Sequence, residues 1–140
     1  MATIKLEIIT AERQVFSDDV NTVVAPGVEG ELGILPHHAP LITMLKPGEV
    51  LIRKDSQETY LFVSGGFLEV RPEKIIILAD ACERAEEIDV ERAEAAKRRA
   101  EERLKTLTPE IDVAQVQAAL LRSLVRLRVA ERKRRKSTLR

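Results

Sequence analysis

Near Glu87 the sequence changes its period, and that change limits the chain to an extended part followed by a helical part. Before it, Ile4, Leu6 and Ile8 alternate with Lys5, Glu7 and Ile9, the two-residue repeat of a strand with one face buried. Short β-branched or aromatic runs follow at Val20–Ala25, Val50–Arg53, Tyr60–Ser64, Phe67–Arg71 and Ile75–Ala79. Turn formers separate them: Pro26-Gly27, Gly30, Gly33, Pro36, Pro47-Gly48, Gly65-Gly66 and Pro72. Many short strands at this spacing predict an antiparallel sandwich or barrel. Gly65-Gly66 falls between two runs, where glycine supplies a positive φ at little steric cost.

After Glu87 the apolar residues recur at helical steps. Asp89 opens a first helix, and Ala93, Ala96, Ala100, Leu104 and Leu107 share one face. Thr108-Pro109 ends it, because the residue before proline resists the α conformation. Asp112 starts a second helix, with Gln115 three residues on as a capping box. Its stripe is Val116, Ala119, Leu120, Leu124 and Leu127. The short connection predicts antiparallel neighbours, and the tail Arg132-Lys133-Arg134-Arg135-Lys136 is expected to be frayed and solvated. The expected fold class is therefore α+β: an N-terminal antiparallel β-sandwich over 1–87, then an antiparallel two-helix hairpin over 88–140. The alanine face of the first helix buries little apolar area, so the hairpin is expected to rearrange at low cost.

Charge divides at the same place. Residues 1–87 carry 8 Lys/Arg against 15 Asp/Glu, a balance of −7, and residues 88–140 carry 15 against 8, a balance of +7. A basic element of this kind finds an acidic partner, either its own first half or another protein. No stretch approaches the roughly 18 apolar residues of a membrane span. The opening Met1–Glu7 has no basic lead followed by an apolar run, so no leader is expected. Cys82 is the only cysteine, which fits a reducing compartment and reads as a small buried apolar residue.

Catalytic constellations are missing. There is no G-x-x-x-x-G-K-[ST] phosphate loop. His37 and His38 are adjacent, with no Cys or His partner at metal-ligand spacing. Ser64 in Val63-Ser64-Gly65-Gly66 lacks the G-x-S-x-G elbow. A free-standing sandwich enzyme would need a nucleophile and base, and none pair up. A nucleic-acid module is the other competitor, on the strength of the basic run Arg126–Arg140. With no Trp, three Phe and one Tyr, the chain lacks stacking surface for that role, and no nucleic acid is expected as a partner.

Two clusters remain. The segment Gly30–Leu41 gathers Glu31, His37, His38, two glycines and two prolines; it reads either as an irregular sheet connection or as a contact loop. In the hairpin, Arg92 and Arg99 share a face, as do Arg122 and Arg126. Folding about Pro109-Glu110 brings the two pairs to matching heights. Arg122 and Arg126 have no acid three or four residues away. They form either an exposed basic cluster or an anion site, since the planar guanidinium fork suits phosphate oxygens.

The motifs Gly30-Glu31-Leu32-Gly33-Ile34-Leu35-Pro36, His38-Ala39-Pro40-Leu41 and Ser64-Gly65-Gly66-Phe67-Leu68-Glu69-Val70, followed by two helices, resemble the ε-subunit family of bacterial F-type ATP synthases over the whole chain. The resemblance implies a non-catalytic rotor subunit of the central stalk, peripheral on the cytoplasmic face of the membrane and attached only through its complex. Its partners would be the γ subunit and the ring of c subunits, with Glu31 and His38 facing the ring. In the family a glycine often stands where this chain has His37. The hairpin resembles the family's regulatory element, which in an extended form reaches the catalytic α/β subunits and inhibits ATP hydrolysis. Ile88-Asp89-Val90-Glu91-Arg92-Ala93 matches the I/L-D-x-x-R-A motif of members that bind ATP. By that resemblance Glu83, Ile88, Asp89, Arg92, Ala93, Arg99, Arg122 and Arg126 form a regulatory ATP site. Glu83 and Asp89 lie at its adenine end and the arginines on the phosphates. No cofactor is required otherwise.

Overall fold

A computed structural model describes residues 2–138. Ile4, Leu6 and Ile8 face inward on the first strand, as their alternation demands, while Lys5 and Glu7 remain partly exposed. Ten strands follow the same logic: β1 (Ile4–Ile9), β2 (Gln14–Val20), β3 (Thr22–Gly27), β4 (Gly30–Ile34), β5 (Leu41–Leu45), β6 (Gly48–Lys54), β7 (Gln57–Val63), β8 (Gly66–Val70), β9 (Lys74–Ala79) and β10 (Cys82–Arg84). They form one hydrogen-bonded sheet in the order β10-β7-β6-β3-β5-β8-β9-β1-β2, with β4 paired to β3. Every pair is antiparallel except β1 with β9. Every strand sends side chains into one apolar core, from Leu6 and Ile8 through Ile34, Leu61 and Leu68 to Ile77 and the buried Cys82. The sheet thus folds over on itself, the sandwich that the alternation predicts.

The two ends of that sheet meet through side chains. Arg84 on β10 donates from Nη2 to the Val15 carbonyl at 3.1 Å and lies over the Phe16 ring, 5.6 Å from its centroid. Lys54 on β6 donates to Asp18 Oδ2 on β2 at 2.8 Å. The Lys54 ammonium, helped by the Asp19 backbone N–H, holds the Asp18 carboxyl below its ordinary range.

Several strand expectations need correction. The run Val20–Ala25 is divided at Asn21, whose amide donates to the Ala2 carbonyl at 2.9 Å and accepts from the Asp55 N–H at 2.6 Å. β2 was not expected: only Val15, Phe16 and Val20 are apolar among its Ser and Asp residues, a composition suited to the edge it occupies. Gly30–Leu41 is not one loop. Its first part is β4, its last residue opens β5, and only 35–40 is irregular. In that turn His37 has φ +73°, the left-handed region that glycine enters most easily, and the His38 N–H donates to the Leu35 carbonyl at 3.2 Å.

The chain divides between Arg84 and Ala85 into two compact units. The second opens with a short 3-10 turn (Ala85–Glu87), closed by the Ile88 N–H on the Ala85 carbonyl at 3.3 Å. Helix α1 (Val90–Lys105) follows, then helix α2 (Val113–Thr138), and the two pack together. The first helix stops earlier than expected: the Thr106 N–H bonds back to the Glu102 carbonyl, leaving Leu107 outside the helix and 56% exposed. Ala93 and Ala100 are buried, as the alanine face predicts. The α2 stripe departs from the expected one at Leu124, which is exposed, while Ser123 is buried. From Val116 a seven-residue step returns to within about 20° of the same face, and eight residues overshoots it. Ser123 therefore takes the inner position and satisfies its hydroxyl on the Ala119 carbonyl at 3.1 Å. Val125 and Val129, roughly half a turn further round, are buried as well. The basic tail continues the helix rather than fraying. Glu131 bridges Arg134 at 3.3 Å and Arg135 at 3.4 Å, the three- and four-residue pairs that support a helix end. Arg132, Arg134, Arg135 and Lys136 are exposed, as expected of a solvated run.

Gly66 has φ +139°, and a Cβ built there would meet the Leu78 carbonyl oxygen at 2.1 Å. Gly66→Ala should therefore cost about 2 kcal/mol or more, because both the backbone angle and the β8–β9 spacing resist a side chain. Urea denaturation of wild type and variant measures this directly, and equal midpoints would contradict it.

Candidate functional site

The helical unit is positioned from its first residue. Asp89 is extended (φ −80°, ψ 98°), and its Oδ1 accepts from the Arg92 N–H at 3.0 Å, which caps α1 and fixes where its face begins. On α2 the Gln115 N–H reaches Asp112 Oδ1 at 3.3 Å, one half of the expected capping box. From these starts, helical rotation places Ala96, Arg99, Ala100 and Arg103 of α1 opposite Gln115, Val116, Ala119 and Arg122 of α2. Between them lies a cleft of about 320 Å³. Ala96, Ala100, Val116 and Ala119 are small enough to leave that space, and three guanidiniums and one amide rim it.

The rim is electrostatically one-sided. Arg99 and Arg103 are four residues apart on one face, a like-charge spacing that destabilises a helix slightly, and Arg122 faces them across the cleft. Glu102 is three residues from Arg99, yet the two do not pair. Among the described residues Arg99, Arg103 and Arg122 have no carboxylate within salt-bridge distance. Such a rim attracts an anion, above all one with several oxygens for planar forks.

The structure brings together only Arg99 and Arg122 of the sequence-predicted set in this cleft. Arg92 is exposed at the start of α1, with its N–H committed to the cap. Ile88 and Ala93 are buried, and Arg126 is half-buried and already engaged. Glu83 lies on β10 in the first unit, opposite Phe62, and is also engaged. Arg103 and Gln115 were missed. The signal for Arg103 was present: it stands four residues after Arg99 and eleven after Arg92, on the same helical stripe.

The first unit carries a second candidate surface. On the outer face of the sheet, Met44 pairs with Phe67 and Phe67 with Leu78, a straight cross-strand row over β5, β8 and β9. All three are more than half exposed, and Ile42 beside them on β5 is 72% exposed. Val28, also exposed, donates its N–H to the Met44 carbonyl at 3.0 Å. A contiguous apolar surface of this kind marks an interface. Glu31 is exposed on β4, and His38 sits in the adjoining turn with Nδ1 2.7 Å from the Ala39 carbonyl. Among the described residues no group of three or more His, Cys, Asp or Glu is placed to hold a metal ion, and no helix is long and apolar enough to cross a membrane.

Comparison with known proteins agrees with this division. Residues 3–85 match the model for the ATP synthase delta/epsilon chain β-sandwich domain, and residues 86–131 match that for its long α-helix domain. An ATP synthase epsilon chain of Dehalococcoides mccartyi is 55% identical over 135 residues, covering 96% of each chain. That of Moorella thermoacetica is 53% identical over 93% of this chain and 98% of its own. Among solved structures, a chain of the Euglena gracilis mitochondrial ATP synthase (OSCP/F1/c-ring) superposes with a TM-score of 0.79 at 23% identity, covering 89% of this chain and 79% of that one. One from the Tetrahymena thermophila mitochondrial central stalk and c-ring gives 0.57 at 16%, covering 94% and 96%. At those identities the structural likeness concerns the fold alone.

The cap at Asp89 sets the start of the arginine stripe. Asp89→Ala should destabilise the helical unit by about 1 kcal/mol. It should also lower the helical circular dichroism signal on mild heating; an unchanged melting profile would contradict the cap's role.

Proposed function

This chain belongs to the ATP synthase delta/epsilon chain family, and we propose that it is the ε subunit of the central stalk, a rotor component that performs no chemistry alone. The observation that carries the reading is the exposed apolar row Met44–Phe67–Leu78 with Ile42. A rotor part transmits torque only if it is fixed to its neighbour. A continuous apolar face on a closed sheet is a rigid seat for another subunit, which here is the γ subunit. The turn around His38, with Glu31 beside it, meets the ring of c subunits. The protein is thereby held at the cytoplasmic face of the membrane through its complex.

The helical hairpin is the regulatory part. The basic α2 suits acidic surfaces of the catalytic α/β subunits, where an extended hairpin obstructs ATP hydrolysis. ATP opposes that extension by binding one arrangement of the hairpin through Arg99 and Arg122 of the cleft. A ligand present at a hundredfold excess over its Kd stabilises the state it binds by about 2.7 kcal/mol. With alanines at the α1 face, an increment of that size decides which arrangement prevails.

Two measurements test the reading. Phe67→Asp, at an exposed position, should leave the fold intact and weaken co-purification with the γ subunit about 30-fold or more. Unaltered association would remove the docking assignment. Arg122→Ala should weaken ATP binding about tenfold by isothermal titration, and no heat from wild type would remove the nucleotide assignment.

A further inference from the structure

We infer that β10 is a strap held by Arg84, and that this anchor fixes where the freedom of the helical unit begins. The inference rests on the reading above for the movement of the hairpin, but the strap is built of first-unit residues alone.

β10 has three residues and one partner strand: Cys82, Glu83 and Arg84 lie opposite Val63, Phe62 and Leu61 of β7. So short an edge strand makes few ladder bonds and opens locally at little cost. It is also the last piece of the first unit, because the chain divides directly after Arg84. Any pull from the helical unit therefore arrives at β10 first. Before the strap, the chain is held by backbone bonds. The Asp80 N–H donates to the Gly65 carbonyl at 3.0 Å, and the Ser64 N–H donates to the Ala81 carbonyl at 3.1 Å.

Arg84 secures the far end through contacts outside the β7 ladder. Its Nη2 donates to the Val15 carbonyl at 3.1 Å, and its guanidinium lies over the Phe16 ring. Both groups belong to β2, at the opposite end of the sheet order. Peeling β10 from β7 must therefore break a charge-assisted bond and a cation–π contact at the same time. The next backbone bond, from the Ile88 N–H to the Ala85 carbonyl, is internal to the 3-10 turn. The helical unit thus pivots after Arg84 and leaves the sheet unchanged. Without that side chain the pivot retreats to Ala81 and frees three more residues, about 10 Å of extended chain.

Cys82, buried on β10 and the only cysteine in the chain, reports on the strap. Labelling of the native full chain with N-ethylmaleimide should be about tenfold faster or more in Arg84→Ala than in wild type. Arg84→Lys, which keeps the charge and loses the planar face, should fall between the two. Arg53→Ala, which removes an exposed ion pair with Glu58 on the same sheet, should label like wild type. Amide hydrogen exchange separates release of the strap from a general loss of stability. In Arg84→Ala the amides of Cys82–Arg84 should exchange about tenfold faster, while those of Leu68 and Ile77 keep the wild-type rate. Equal labelling of wild type and Arg84→Ala overturns the anchor. So does faster exchange spread evenly over the sheet, which would make Arg84 an ordinary contributor to stability. These readouts come from the chain alone, so they stand or fall separately from any effect of the hairpin on ATP hydrolysis.

Discussion

A ten-stranded sheet with one apolar face has two ends, and this fold depends on how they are brought together. Burial of the shared core supplies most of the driving force, but burial is non-directional. Direction comes from a few polar contacts that join strands remote in hydrogen-bond order. Arg84 of β10 reaches the Val15 carbonyl and the Phe16 ring, and Lys54 of β6 reaches Asp18. Both contacts seize β2, a Ser- and Asp-containing strand that is the last in the sheet order. An edge strand with only two fully buried apolar side chains, Val15 and Val20, is thus held by charge-assisted bonds as well. Because Lys54 keeps the Asp18 carboxyl below its ordinary range, the closure is favoured above the ordinary carboxylate pKa and fades as pH falls through the lowered value.

The closed sheet leaves its outer face free for another task. Core-facing residues on β5, β8 and β9 alternate with Ile42, Met44, Phe67 and Leu78, which a monomer has no reason to keep apolar. The helical unit follows the opposite rule: its inner surface is small-sided and rimmed with like charges. The first unit carries an exposed apolar row, and the second carries a rim of like charges.

Much of this was legible in the residues. The alternation at Ile4–Ile8 and the glycine pair at 65–66 located the sheet, and Asp89, Asp112 and Pro109 bracketed the helices. β2, β4, β5 and β10 lack a clear two-residue repeat: the buried Val15 and Val20 of β2 are five residues apart and out of phase, β4 holds two glycines, β5 is apolar on its exposed positions too, and β10 has three residues. Leu124 misled because hydrophobicity outweighed helical phase, whereas Ser123, polar but able to bond its own backbone, held the inner position. Arg103 is legible only from rotation about α1, four residues beyond Arg99 on the same face, and not from its level along the hairpin. Long-range pairing, such as β1 with β9, leaves no local trace at all.

That parallel pair has a consequence for how the protein is made. Lys5 lies beside Lys74, and Ile9 beside Leu78, so one edge of β1 is matched early by β2 and the other only by a segment roughly 70 residues later. At ribosomal speeds of about 5–20 residues per second, that edge waits on the order of several seconds for its neighbour. During the interval the nascent chain displays an open edge of unpaired backbone N–H and C=O groups, next to a face that carries Ile4, Leu6 and Ile8. The domain's oldest strand is the one most in need of shelter while translation continues.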